Sequence, residues 1–297
     1  MDDKKIYLLE TIAEPCLVCG TPTPILYFQE PSFIDKDKFS SNNSRNICSE
    51  FSKLLESYIE SRKPKTVLVH YLKADAESYN GAQGKEYIKI AQLLNLYEPF
   101  STLNANDKNL LFKKFWEIFS GLEKFYQSCL YFGNNPKDVR VALWSYYIDY
   151  DEIIRDANDV IPGDADKAFL IPMLYKARKI FKLFKKLNIT IFELAYMSQI
   201  ALWSCYDILG LSKATQIIAE EMLEKASNEM HEYFVNELRI PYYATRQSHL
   251  FKIVQNIEIN VNGRRQMFLA KDIFNFGSNA NEENDFFNQY YKYIKKQ

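Results

Sequence analysis

The sequence predicts a mainly α protein: an irregular bundle or array of five long helices, with a loop-rich N-terminal region and a C-terminal β-hairpin. Three observations lead there. Between Asn106 and Leu238, glycine and proline occur almost only where one helical stretch could hand over to the next, at Gly133 with Asn135 and Pro136, at Pro162 and Gly163, and at Gly210. The chain is 47% hydrophobic and carries 21 Tyr and 21 Phe, large side chains suited to filling helix interfaces. Six of the ten prolines and three of the nine glycines fall in the first hundred residues, which marks that part as rich in turns. The expected organisation is a loop-rich region over 1–100, a helical core over 101–240, and a hairpin with a tail packed on the core over 241–297.

Along the chain, Ile47, Phe51, Leu54, Leu55, Tyr58 and Ile59 follow helical spacing after the capping candidates Asn43 and Ser44. Residues 67–72 read as a short strand, and 85–97 as a short helix stopped by Pro99. The five long segments are 107–132, 136–157, 164–187, 190–209 and 212–238, each roughly 30 to 40 Å at the helical rise. Pro172 is expected to kink the third or to mark its true start, because its ring removes a backbone hydrogen bond. The fourth is apolar nearly all round and so is the expected buried central helix. Further on, Ile257, Ile259 and Val261 alternate with polar residues before Asn262 and Gly263, which predicts a tight hairpin over 256–269.

A net charge of -1 excludes a uniformly basic coat, so an electrostatic partner must be met by a local patch. The longest apolar run, 189–211, is interrupted by Glu193, Gln199 and Asp207, which argues against a membrane span. Five cysteines and a start without a leader pattern predict a reducing intracellular, cytoplasmic setting rather than a disulfide framework.

Three patterns could carry chemistry. Cys16 and Cys19, followed by Gly20, have the spacing of a zinc knuckle, and Cys48 with His70 would complete a structural site. Residues 176–186 hold six basic side chains and no acid. On a helical wheel Arg178, Lys179, Lys182, Lys185 and Lys186 share an arc that could meet nucleic acid or another anionic partner. The acidic residues Asp149, Asp151, Glu152, Asp156, Asp159, Asp164 and Asp166 lie just upstream, so internal pairing is the alternative.

Gly210, Leu211 and Ser212, leading to Thr215, resemble the turn of a helix-turn-helix, which would imply a DNA-reading regulator. For an enzyme, the only polar face of note carries Glu193, Tyr196, Ser204 and Asp207, with its two carboxylates about 20 Å apart along a helix, too far to work as a pair. The function these patterns favour is a non-catalytic interaction or regulatory subunit with a protein partner. Its basic helix could contact nucleic acid; a helical enzyme using the Glu193 face and a helix-turn-helix regulator are the alternatives.

Overall fold

The computed structural model describes residues 11–15, 22–26, 46–64, 66–70, 76–161 and 164–274. An antiparallel ribbon of β1 (Thr11–Pro15) and β2 (Pro22–Leu26) pairs Thr11 with Leu26. Helix α1 (Ile47–Arg62) follows, burying Ile47, Phe51, Leu55 and Ile59 at the expected spacing. Of the predicted strand over 67–72, Val69–His70 form β3, and residues 71 and 72 lie outside the described residues. Next come α2 (Ala76–Leu96), longer than its pattern suggested, the single turn α3 (Glu98–Ser101), and α4 (Ala105–Phe132). The Asn104 side chain caps α4 by accepting from the Asp107 amide, and Gly133 ends it with φ 77°, a conformation that costs glycine little.

Residues 136–157 do not form the predicted helix. They make a hairpin, β4 (Arg140–Leu143) and β5 (Tyr146–Asp149), followed by the short helices α5 (Tyr150–Arg155) and α6 (Ala157–Val160). The β-branched and aromatic residues of this stretch pack in a pleat, with Val141 opposite Ile148 and Leu143 opposite Tyr146. At its tip Trp144 takes φ 51°, the positive value that a two-residue hairpin turn needs at its first position. No Asn-Gly or Gly pair advertised that turn. β3 adds to β5 in parallel, giving the order β3-β5-β4.

The remaining helices are α7 (Asp164–Leu187), α8 (Ile191–Trp203), α9 (Lys213–Glu232), running into a π-type turn over Tyr233–Glu237, and α10 (Ala244–Phe274). Pro172 sits inside α7 on its exposed side. α8 is the buried central helix expected, touching α1, α4, α9 and α10. Its N-terminus is a capping box between Thr190 and Glu193.

The second correction is α10, which replaces the predicted hairpin over 256–269. Leu250, Ile253, Val254, Ile257, Val261 and Met267 are all buried and follow the helical period, whereas Ile259, part of the supposed alternation, is exposed. Asn262 and Gly263 cost the helix about 1 kcal/mol in propensity, and packing on α7 and α4 overrides that. The main core runs from Ile47 to Val261, centred on the aromatic rings of α4, α7 and α8, and Ala157, Ile161, Leu170 and Met267 form a smaller buried cluster. Where α4 crosses α10, a Cβ on Gly121 would lie 3.0 Å from the Ile257 side chain, so the close approach depends on that glycine. Among the described residues no helix is long and apolar enough to cross a membrane.

Candidate functional site

The second half of α4 carries a polar stripe inside an otherwise apolar helix. Ser120, Glu123, Lys124, Gln127 and Ser128 recur at three- and four-residue intervals and therefore share a face. That face meets the end of α1, the middle of α2 and the β4–β5 hairpin. Glu86 of α2 and Glu123 are each about 1% exposed, an expensive position for a carboxylate unless it is paired.

Glu86 is well supplied. Ser120 Oγ donates to its Oε1 at 2.9 Å, Lys124 Nζ approaches Oε2 at 3.1 Å, and Arg62 Nη2 lies 3.8 Å from Oε1. Lys124 Nζ also donates to Ser120 Oγ at 2.7 Å and lies 4.8 Å from the centre of the Trp144 ring. Gln127 Nε2 donates to the Ile59 carbonyl at 2.9 Å, fastening α4 to α1. Ser128 Oγ accepts from the Ala142 amide at 2.8 Å, fastening α4 to the hairpin.

One oxygen of Glu123 lacks a hydrogen bond. Arg62 Nε stands 3.7 Å from its Oε1, too far for a hydrogen bond, and both atoms are buried with no hydrogen-bond partner among the described residues. Burial, reinforced by Glu86 and opposed by Arg62 and Lys124, pushes the Glu123 carboxyl up to about 7. Burial works against the charge on Arg62, but Glu123 and Glu86 outweigh it and raise its pKa, so the guanidinium stays protonated. Beside this pair is a cavity of about 10 Å³, walled by α4, Arg62, Pro64 and the hairpin residues Ala142 and Trp144. Near-neutral charge balance, unpaired buried atoms and adjoining space suit the binding of a small molecule more than acid–base chemistry on one.

The residues singled out from sequence fall elsewhere. Cys16 and Cys19 lie outside the described residues. Cys48 is buried in the first turn of α1, where burial, with Glu229 adding to it, pushes its thiol far above the usual range. Its backbone amide donates to Glu229 at 3.0 Å. His70 lies in β3, after the other end of α1, with its Nε2 2.8 Å from Glu152. The two do not meet. Among the described residues no group of three or more His, Cys, Asp or Glu side chains is placed to hold a metal.

The basic arc divides. Arg178 pairs with Asp151, while Lys179 and Lys186 are exposed and Lys182 is half-buried. Lys185 is 1% exposed, because one turn after Phe181 it folds back over that ring, its Nζ 4.9 Å from the centre. Glu193 is consumed by Arg246, whose guanidinium bridges it and the Leu187 carbonyl, while Asp207 lies past the end of α8 beside Lys114. Gly210, with φ 83°, and the Ser212 cap form the predicted turn, but the helix before it is buried in the core and the one after it is tied to Asp107. Sequence reasoning passed over Arg62, Glu86, Glu123 and Lys124. The signal that could have found them is the polar interval from Ser120 to Gln127 within an aromatic helix.

A family model for the ligand-binding domain of nuclear hormone receptor matches residues 73–274. Among curated proteins, nuclear hormone receptor family member nhr-127 of Caenorhabditis elegans is 24% identical over 231 residues, 75% of this chain and 65% of that protein. Members nhr-125 and nhr-55 of the same organism are 24% and 23% identical, covering 59% and 73% of this chain and 44% and 53% of their own lengths. The chain thus spans about half to two thirds of the length of these relatives. With its helical core and the polar stripe of α4 inside one matched segment, the chain belongs to the nuclear hormone receptor ligand-binding domain family.

Proposed function

We propose that this chain is a non-catalytic regulatory domain that answers to a small, largely apolar molecule whose polar end completes the cluster of Arg62, Glu86, Glu123 and Lys124. The observation that carries this reading is the pair of buried atoms, Glu123 Oε1 and Arg62 Nε, that face each other without a hydrogen bond. Each unmade bond of this kind costs about 1 to 3 kcal/mol, which a ligand group able to donate to one and accept from the other would recover. Two cations face two carboxylates, one of them raised to about 7, so the cluster carries little net charge and a hydroxyl, keto or amide head fits better than an ion. The present cavity has room for about one water, so admission of a larger body requires its walls to part.

A panel of apolar molecules, each carrying one hydroxyl, keto or amide group, tests this by thermal unfolding. A ligand present at a hundred times its dissociation constant adds about 2.7 kcal/mol of stability. Replacing both orphaned groups, Arg62→Leu with Glu123→Leu, should leave the fold as stable or more so while abolishing the response. Should no compound stabilise the protein, or the double variant respond as before, the reading fails.

A second reading is favoured by the exposure of Lys179 and Lys186 on the outer face of α7. We infer that these, with Lys182, contact an anionic partner such as nucleic acid. Neutralising all three should flatten the salt dependence of nucleic-acid binding by a log–log slope of about 3. A protein partner and a reducing intracellular setting belong to the same reading, the latter on the free thiols of Cys48, Cys129 and Cys205.

A further inference from the structure

The cluster on α4 has a third polar atom without a hydrogen bond. Tyr58 of α1 is 7% exposed, and its Oη is buried with no hydrogen-bond partner among the described residues. It stands one turn before Arg62 on the same helix, so the two side chains share a face of α1. The charges of the cluster act on it. Burial, Glu123 and Glu86 push the phenol well above its usual range, and Arg62 opposes them. The Tyr58 ring meets Phe119 of α4 edge-on at 5.6 Å.

Tyr58 Oη, Arg62 Nε and Glu123 Oε1 are complementary. Arg62 Nε only donates, an ionised Glu123 Oε1 only accepts, and a hydroxyl does both. Nε and Oε1 are 3.7 Å apart, too far to bond each other, yet an oxygen beside them fits about 2.9 Å from the one and about 2.7 Å from the other. One hydroxyl there satisfies all three atoms. Tyr58 carries such a group on an apolar ring, the same chemistry that the cluster asks of a ligand.

We propose that the Tyr58 hydroxyl is the internal competitor for the α4 site: it swings in to accept from Arg62 and donate to Glu123, and a ligand head must displace it. This rests on the reading of the α4 cluster as the ligand site. It narrows the head to one that both accepts and donates, an alcohol, phenol or primary amide, because a keto group only accepts and leaves Glu123 unpaired. Gln127 ties α4 to the Ile59 carbonyl next to Tyr58, so the two helices stay in place while the phenol turns about its own side-chain bonds.

The test is urea unfolding at pH 8, where the Glu123 carboxyl, raised to about 7, is mostly ionised. Tyr58→Phe keeps the ring and removes only the hydroxyl, and should lower the folding equilibrium constant about five- to tenfold. In the Arg62→Leu, Glu123→Leu background the same change should cost nothing, because the partners are gone. p-Cresol added to Tyr58→Ala, which opens a slot the size of the lost ring, should bind about tenfold more tightly than toluene. Where that variant does not fold, the phenylalanine comparison decides alone.

A Tyr58→Phe protein as stable as the wild type, or more so, overturns the proposal, since the hydroxyl would then have no partner to lose. So does an equal cost in the leucine background, or toluene binding as well as p-cresol. Displacement is read on the panel of hydroxyl compounds, whose affinity Tyr58→Phe should raise about fivefold, and an unchanged affinity ends the competition. A panel in which nothing binds removes the site and the competition together, whereas the coupling among the three groups stands or falls on the urea data.

Discussion

At the start of α4, Asp107 is 1% exposed and accepts from the Ser212 amide, the Ser212 and Thr215 hydroxyls and the Asn104 amide group. Roughly four turns further along the same helix, Glu123 is as deeply buried and has an oxygen without a hydrogen bond. Burial pushes both carboxyls up. At Asp107 hydrogen bonds from Ser212, Thr215 and Asn104 outweigh burial and hold the group below the usual carboxylate range. At Glu123 burial and Glu86 prevail over Arg62 and Lys124, and the group rises to about 7. A carboxylate with four donors around it holds helices together. One left short beside a cavity is poised to take a partner from outside.

The largest effect should come from breaking the satisfied end. Asp107→Ala strips α9 of the acceptor for its capping residues and should cost about 2 to 4 kcal/mol in urea unfolding. Because the native pKa of Asp107 is depressed, its contribution is full above the unfolded value near 4 and is lost as pH falls through the native value. Acid unfolding of the wild type should therefore steepen below about pH 4, and the alanine variant should lack that step.

Smaller is Gly121→Ala, two residues before Glu123. A methyl group 3.0 Å from the Ile257 side chain requires that side chain to give by a few tenths of an ångström, which should offset the roughly 1 kcal/mol of helix propensity that alanine adds, without altering the pH dependence of either end. Lys185→Met should work in the opposite direction to Asp107→Ala. This ammonium is buried with no hydrogen-bond partner, and burial lowers its pKa despite Asp138. Its replacement by an apolar chain of similar length should gain about 1 kcal/mol, read as a rise in urea midpoint at constant slope.

How much of this was legible in the sequence follows from what each pattern encodes. α4, α7, α8 and α9 were readable because their burial follows a long helical period and their ends carry Gly133, Thr190 and Ser212, although α8 stops at Trp203, short of the expected end at 209 before Gly210. The stretch over 136–157 was not, since Val139, Val141 and Leu143 suit a strand as well as a helix, and the turn rests on Trp144 in a conformation that sequence assigns to glycine or asparagine. α10 was misread because Asn262 and Gly263 are a strong local turn signal overruled by packing on α4 and α7.

Of the site, the stripe within α4 was visible in principle. Its meaning was not, because Arg62 and Glu86 reach it from other helices, and no local spacing records that meeting. Within the basic arc only the place of Lys185 was misjudged: a wheel treats it as one of a row, whereas its aliphatic stem and Phe181 draw it inward.

The contrast between the two ends of α4 is tested most directly by equilibrium unfolding of the wild type, Glu123→Gln and Asp107→Asn at a series of pH values from 5 to 8. A raised carboxylate binds its proton more tightly in the native state, so wild-type stability should fall as pH climbs from the unfolded value near 4.5 to about 7, then level off. Glu123→Gln should flatten that decline, and Asp107→Asn should keep it at lower overall stability. A Glu123→Gln profile that declines as steeply as the wild type would show that Glu123 is as well satisfied as Asp107, and the case for an incomplete site would go with it.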